Sequence, residues 1–308
     1  MKKLFLKPYR IACAMACALA LFTGYVLLDT FVIPKAITTV VQTDVDAASN
    51  TAAEEAVQAQ AAAAQVTANS YIDENISIAI ETVRVNDTTV YIADIQVSDA
   101  SYLKTALAQN TYGRNIKETT SQMAEENNAI FAINGDYYGF RDGGYVIRNG
   151  VLYRSTAQEG SGNEDLALDA EGNLFVIDES EVTAEELSAA GVQQVWSFGP
   201  ALVVNGEIAV DSNDEVAQSK TSNPRTAIGQ VSALHYIVIV SDGRTDESEG
   251  LSLYQLAELL AEKGCTVAYN LDGGGSTTMV FNGEVVNNPT NGRSGGEREV
   301  SDIVYIGY

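Results

Sequence analysis

Three Asn-Gly pairs, Asn149-Gly150, Asn205-Gly206 and Asn282-Gly283, each separate two short apolar runs. Both residues of such a pair tolerate a positive φ, which a two-residue hairpin turn requires and few other pairs supply. Their recurrence commits the chain to antiparallel strands that fold back on themselves. Residues 90–97 add a β-rich run with partial alternation, and residues 166–168 and 174–177 flank the loop 169–173 as a further hairpin. Helices are fewer. Residues 252–263 form the clearest: Ser252 and Gln255 have capping-box spacing, Leu253, Leu256, Ala257 and Leu260 share a face, and Gly264 supplies the stop. Residues 118–128 and 183–190 are further helical candidates. The sum predicts an α+β domain built around a mixed sheet.

Four basic residues, Lys2, Lys3, Lys7 and Arg10, precede residues 11–28, a run of eighteen without a charge, and apolar character resumes at residues 31–33. This pattern predicts an N-terminal membrane helix with its basic end in the cytoplasm. Ala18-Leu19-Ala20 is a small-x-small triplet, but apolar residues continue beyond it, so an uncleaved anchor is favoured over a cleaved signal peptide. The expected localisation is the cell membrane, single-pass, with the C-terminal domain extracellular; cleaved secretion is the alternative. Residues 44–69 are Ala/Gln-rich without aromatics until Tyr71, which suggests a stalk. The expected organisation is residues 1–35 as basic end and anchor, 36–70 as stalk, and 71–308 as the folded domain.

Composition narrows the partners. From residue 36 onward there are 13 basic residues against 40 acidic, a net charge of −27. Such a body binds neither nucleic acid nor an anionic membrane as a whole, and an anionic ligand needs a local patch of arginine or backbone N–H groups. Of three cysteines, Cys13 and Cys17 lie in the apolar run, leaving Cys265 alone. No disulfide is available within the domain, and Cys265, in a short apolar strand pattern, reads as buried packing. An exported domain without disulfides suits a bacterial surface protein.

The chain also echoes itself. Val97-Ser98-Asp99 and Val240-Ser241-Asp242 each end a strand; helical character and a short apolar strand follow each. Those strands carry Asn134-Gly-Asp136 and Asn270-Leu-Asp272, 136 residues apart, and each leads through glycine and another strand to an Asn-Gly hairpin. Four features in the same order predict an internal duplication of a strand–helix–strand–hairpin unit.

If residues 235–240 and 266–270 are neighbouring parallel strands joined by the helix 252–263, both end at one sheet edge, where ligands of α/β units gather. Asp242 and Asp272 then meet there, and the duplicated half brings Asp136 and Asp99 to an equivalent edge. Paired carboxylates are the usual equipment for breaking a glycosidic bond, although most Asp residues at strand ends only cap a turn. Asp272-Gly-Gly-Gly-Ser276-Thr-Thr278 is more specific. Three glycines exceed what a turn needs and allow N–H groups to converge on an anion, with Ser276, Thr277 and Thr278 following. It lacks the lysine of a nucleotide P-loop. Arg225, Arg244, Arg293 and Arg298 stand in or near glycine-containing loops and suggest recognition of phosphate or carboxylate, although surface solvation accounts for any single one, Arg293 above all. The single histidine, His235, begins an apolar strand and leaves no means of assembling a Ser-His-Asp triad or a His-rich zinc site. The acidic loop 246–249 lacks EF-hand spacing. Trp196 and Tyr137-Tyr138 are stacking candidates for a sugar, with core packing the equal alternative for Trp196.

Asn134-Gly-Asp-Tyr-Tyr138, Arg225-Thr-Ala-Ile-Gly229, Asp242-Gly-Arg244, Gly250-Leu-Ser-Leu-Tyr-Gln-Leu-Ala257, Asn270-Leu-Asp-Gly-Gly-Gly-Ser-Thr-Thr278 and Arg298-Glu-Val-Ser-Asp-Ile303 resemble, in order, the phosphodiester glycosidase family over roughly residues 75–308. The family has animal members that uncover mannose 6-phosphate and bacterial members associated with exopolysaccharide biosynthesis. The resemblance implies hydrolysis of a sugar-1-phosphodiester on its glycosidic side. It assigns acid, base or nucleophile roles among Asp136, Asp242 and Asp272. Arg225, Arg244 and Arg298, with Gly273, Gly274, Gly275, Ser276 and Thr277, would hold the phosphodiester, and Asn134 and Asn270 would orient the sugar or the carboxylates. It implies no required cofactor and leaves a divalent metal open. Animal members carry a C-terminal membrane span and cysteine-rich additions, whereas the candidate span here is N-terminal. A sugar-phosphate polymer outside the cell, such as a teichoic acid or phosphorylated exopolysaccharide, is therefore the expected substrate. A non-catalytic module that binds such a polymer during export or attachment is the alternative.

Overall fold

The computed structural model describes residues 8–39, 64–158, 160, 163–213, 222–292 and 295–308. Lys2, Lys3, Lys7, Arg293 and most of the expected stalk lie outside the described residues. Pro8–Phe31 is one helix, and its stretch Ala12–Phe31 is long and apolar enough to cross a membrane. At 1.5 Å per residue those twenty residues span about 30 Å, the thickness of a bilayer's hydrocarbon core. None of this stretch packs inside the protein.

Among the described residues the strands form one nine-stranded sheet, two five-stranded sheets and a two-stranded ribbon, with three short helices beside them. The domain is thus mixed α+β with sheet dominant. All three Asn-Gly turns form: the asparagines have φ of 49°, 53° and 49° and the glycines 76°, 80° and 82°, the double positive φ of a type I′ turn. Each joins an antiparallel pair, Val146–Arg148 to Val151–Arg154, Ala201–Val204 to Glu207–Ile208, and Met279–Phe281 to Glu284–Val285. A fourth turn, Asn86-Asp87, joins the long strands Ile76–Val85 and Thr88–Val97.

The nine-stranded sheet runs, in spatial order, Glu207–Ile208, Ala201–Val204, Val267–Asn270, Arg225–Ser232, His235–Ser241, Thr88–Val97, Ile76–Val85, Ser70–Ile72 and Gln65–Val66. The strands ending at Ser241 and Asn270 are therefore not neighbours: Arg225–Ser232 lies between them, antiparallel to both. Its polar residues disguise it in the sequence. Thr226 and Gln230 face inward because each has a partner, Thr226 donating to Asn134 Oδ1 and Gln230 bonding the backbone of Gly172 and Leu174. The two flanking strands still run in the same direction, so Asp242 and Asp272 do follow strands ending at one edge, where Arg225 begins the strand between.

The echoed halves do not share a common frame. Thr88–Val97 lies antiparallel to His235–Ser241, with Val90 opposite Ser241. Asp99 therefore stands at the opposite edge, exposed, where its carboxylate accepts the Ser101 N–H at 2.9 Å as a turn cap. The strand carrying Asn134 belongs to a five-stranded sheet, whereas the strand carrying Asn270 belongs to the nine-stranded one.

Alternation along the central strands explains the layers. Ile78, Ile95, Ile228 and Val238 face one side and pack with Phe131, Ile133, Leu166, Leu168, Trp196 and Val304 from the two five-stranded sheets. Ile92, Ala227, Ile237 and Ile239 face the other side, which Leu253, Leu256 and Leu260 of the helix Leu253–Glu262 cover. Ser252 caps that helix with both capping-box bonds formed. Cys265 is buried there, and burial pushes its thiol up to about 12.

Candidate active site

The two Asn-x-Asp motifs meet where the edge of the nine-stranded sheet adjoins a five-stranded sheet. Phe131–Asn134 lies between Met279–Phe281 and Asp302–Ile306, antiparallel to both. Beyond it, Asn134 fastens the two sheets together. Its Oδ1 accepts from Thr226 Oγ1 at 2.8 Å and the Thr278 N–H at 3.1 Å, and its Nδ2 donates to the Asp272 carbonyl at 2.6 Å. The Asp272 N–H in turn donates to the Gly135 carbonyl at 3.3 Å. Asn270 is anchored by Nδ2 to the Gly199 carbonyl at 2.8 Å, and its buried Oδ1 has no protein partner.

Asp136, its side chain buried, and Asp272 line one cleft of about 640 Å³, whose wall includes Ser276, Arg298, Tyr137 and Phe140. Behind Asp136 lies a buried charge cluster. Arg148 Nε donates to Asp302 Oδ2 at 2.7 Å and its Nη2 to Asp136 Oδ2 at 3.3 Å. Asp136 Oδ2 also accepts the Ser197 N–H at 3.0 Å, and Asp302 Oδ1 accepts the Asp136 N–H at 3.0 Å. The guanidinium lies near the Tyr138 and Trp196 rings. One cation faces two carboxylates out of water, and burial, with Asp136 adding to it, pushes Asp302 up to about 6. Oδ1 of Asp136 is left without a protein partner, as are the buried hydroxyls of Ser197, whose N–H bonds the same carboxylate, and of Ser301 in the cleft lining. A buried polar atom without a partner costs about 1–3 kcal/mol, which makes these atoms candidates for bonds to a polar ligand. Burial pushes Asp272 up to about 6 as well, against the opposing effects of its hydrogen bond with Ser276 and the nearby Arg298.

Part of the glycine loop is tied back into the fold. The N–H groups of Gly274, Ser276 and Thr277 donate to carbonyls of Pro224, Gly273 and Gly274. What the missing side chains admit is arginine: a Cβ on Gly274 would lie 2.7 Å from Arg244 Nη2, and one on Gly275 would lie 2.5 Å from Arg298 Nη2. Gly274 also has a φ of 63°. Arg244 is steered by Asn223 Oδ1, which accepts from its Nη2 at 2.8 Å, and burial together with the like charge of Arg298 lowers its pKa. Two guanidinium groups thus lie side by side over a glycine floor, next to Asp272.

Arg225 and Asp242 are placed apart from the cleft lining. Arg225 is buried, its Nε donating to the Leu251 carbonyl at 2.9 Å. Asp242 accepts the Asn288 N–H at 2.8 Å and the Tyr91 hydroxyl at 3.3 Å, and burial raises its pKa. It thereby pins the segment leading to Asn291, a residue of the cleft wall. Trp196 and Tyr138 are core residues, while Tyr137 is exposed in the cleft and stacks on Phe140 with ring centroids 4.9 Å apart. Asp302, Arg148 and Ser197 were not singled out from the sequence. Asp302 lies within the last recognisable motif, but Arg148, just ahead of an Asn-Gly turn, carries no sign that it is buried.

A sheet-edge cleft lined by Asp136, Asp272 and Arg298, with Arg244 outside the lining but against the same glycine loop, brings together the carboxylates and guanidinium groups suited to cleaving a glycosidic bond beside a phosphate. The chain belongs to the phosphodiester glycosidase family, whose profile matches residues 127–307. Among curated proteins it is 33% identical over 202 residues to the SPbeta prophage-derived uncharacterized protein YomE of Bacillus subtilis, covering 64% of this chain and 31% of that protein. It is 27% identical over 191 residues to N-acetylglucosamine-1-phosphodiester alpha-N-acetylglucosaminidase of Bos taurus, covering 56% of this chain and 35% of the bovine protein. The matched segment thus spans about a third of the length of these relatives. Among solved structures, the catalytic domain of the zebrafish N-acetylglucosamine-1-phosphodiester alpha-N-acetylglucosaminidase superposes with a TM-score of 0.59 at 22% identity, over 76% of this chain and 83% of that one. The likeness shows a shared fold.

Proposed function

We propose that the protein hydrolyses sugar-1-phosphodiesters of the GlcNAc-1-phosphodiester type at the glycosidic bond, outside the cell, anchored by its N-terminal helix. The observation that carries this reading is the juxtaposition of Asp136 and Asp272 with Arg244 and Arg298 around the glycine loop. In the mechanism, the two arginines hold the non-bridging phosphate oxygens and stabilise the charge that grows on the leaving phosphate. Asp272, protonated below pH about 6, gives its proton toward the bridging oxygen. Asp136 Oδ1 directs water onto the anomeric carbon, or attacks that carbon itself, while Arg148 and the Ser197 N–H hold Oδ2. Tyr137 offers a face to the sugar. Asp242 and Arg225 act from behind, holding the loops. The substrate proposed is a surface polymer such as a teichoic acid or phosphorylated exopolysaccharide.

The test is release of free GlcNAc and UDP from UDP-GlcNAc by the full chain in detergent micelles, with Asp272→Asn as control. Release by the wild type alone supports the reading. Saturable binding of a phosphorylated polymer with no release from it or from UDP-GlcNAc contradicts it in favour of a binding module.

A further inference from the structure

The chain leaves the apolar helix at Phe31 and enters a strand of the folded domain at Lys35. The three intervening residues reach about 10 Å at most. Lys35–Thr39 pairs antiparallel with Thr111–Arg114, an approach that Gly113 permits, because a Cβ there would collide with the Lys35 carbonyl. Buried Asn115 completes a clasp: its Nδ2 donates to the carbonyls of Thr30 and Ile33, each at 3.1 Å. The end of the apolar helix is thus fixed to the domain rather than held off by a spacer.

The clasp is continuous with the cleft. Lys117 and Thr119, two and four residues after Asn115, line it. On the other side, Gly139 backs onto the Gly113 carbonyl, where even a Cβ would stand 3.5 Å away, and the next residue, Phe140, is again cleft wall. Val32, Ile33 and Ile37 around the exit point are 61%, 42% and 65% exposed, an apolar surface next to the helix end that has no cover from the domain.

We propose that the cleft works at the bilayer surface on glycosyl phosphodiesters whose alcohol is a membrane lipid, a sugar-1-phosphate esterified to a long-chain alcohol. This rests on the glycosidase and membrane-anchor reading above and puts a membrane-lipid ester in place of the surface polymer as the substrate. A cleft clasped this close to the helix end meets what lies in the plane of the membrane, and a lipid-linked donor stays in that plane. The reaction forms a bond between the oxygen of water and the anomeric carbon and breaks the bond between that carbon and the phosphate oxygen. The free sugar leaves, the lipid phosphate monoester stays in the bilayer, and the proton lost by water ends on the phosphate or the solvent.

The experiment compares two analogues with full-length protein in phosphatidylcholine vesicles: GlcNAc-1-phosphate esterified to a long-chain alcohol in the same vesicles, and its methyl ester in solution. Confinement to one surface is expected to raise cleavage of the lipid-linked analogue about tenfold or more at equal bulk concentration. Inserting a long Gly/Ser segment between Pro34 and Lys35 should remove that preference and leave cleavage of the methyl ester unchanged. If the insertion variant is inactive on both, Asn115→Ala is judged in the same way. Equal cleavage of both analogues by the wild type, preference that survives release of the clasp, or a mature protein beginning downstream of Phe31 overturns the proposal. Cleavage of neither analogue overturns the glycosidase reading itself.

Discussion

At the scale of single residues, Asp272 joins reactivity to a stability cost. Burial raises its folded pKa to about 6, above that of an unfolded aspartate. Its contribution to stability is therefore full below pH about 4 and is lost as pH rises through about 6, because the ionised form is the one the fold disfavours. Asp272→Asn cannot ionise. It should match the wild type near pH 4 and exceed it at pH 8 by about 1–3 kcal/mol in urea unfolding, while turnover is abolished. Equal loss of folding and activity would make Asp272 a structural residue. Wild-type turnover should fall as pH rises above about 6, as the proton donor is lost. Arg148→Ala should behave oppositely in stability, costing about 3–5 kcal/mol because it strands two buried carboxylates, measurable as a large drop in the urea midpoint. Asp272 was legible in the sequence because its glycines stand beside it. The Arg148–Asp302 pair was not, since 154 residues of sequence separate the partners and each alone reads as an ordinary surface charge.

Elements show where local signals suffice. The helix Leu253–Glu262 and the three Asn-Gly hairpins appear where capping and turn chemistry place them, because those signals act within a few residues. Arg225–Ser232 escaped notice because its inward polar groups are satisfied by residues distant in sequence, a tertiary override of the local pattern. The glycine loop was legible as special, but one reason for it was not: Gly274 and Gly275 leave room for the guanidinium groups of Arg244 and Arg298. Gly275→Ala tests this at the level of the loop. Its Cβ must displace the Arg298 guanidinium, a flexible group, so stability should change little while KM for the phosphodiester rises roughly tenfold with a smaller change in kcat. A large loss of Tm with KM unchanged would return the glycines to a backbone role.

The whole molecule explains why the site stands where it does. Two sheets that share one core also share an edge, and Asn134 ties the loops of both at that edge. The sequence suggested strand ends converging on one edge and the apolar helix at the start; the interposed strand, the second sheet and the clasp at Asn115 arise from contacts across the whole chain. In a body of charge −27, Arg244 and Arg298 over the glycine loop form the local exception that gives an anionic substrate a seat. The central claim is that carboxylates break the glycosidic bond while arginines only hold the phosphate, and one measurement tests it most directly. Turnover of a GlcNAc-1-phosphodiester in ¹⁸O-labelled water, read by mass spectrometry, should place the label in the freed sugar and none in the phosphate. Label in the phosphate would mean attack at phosphorus and would contradict the account.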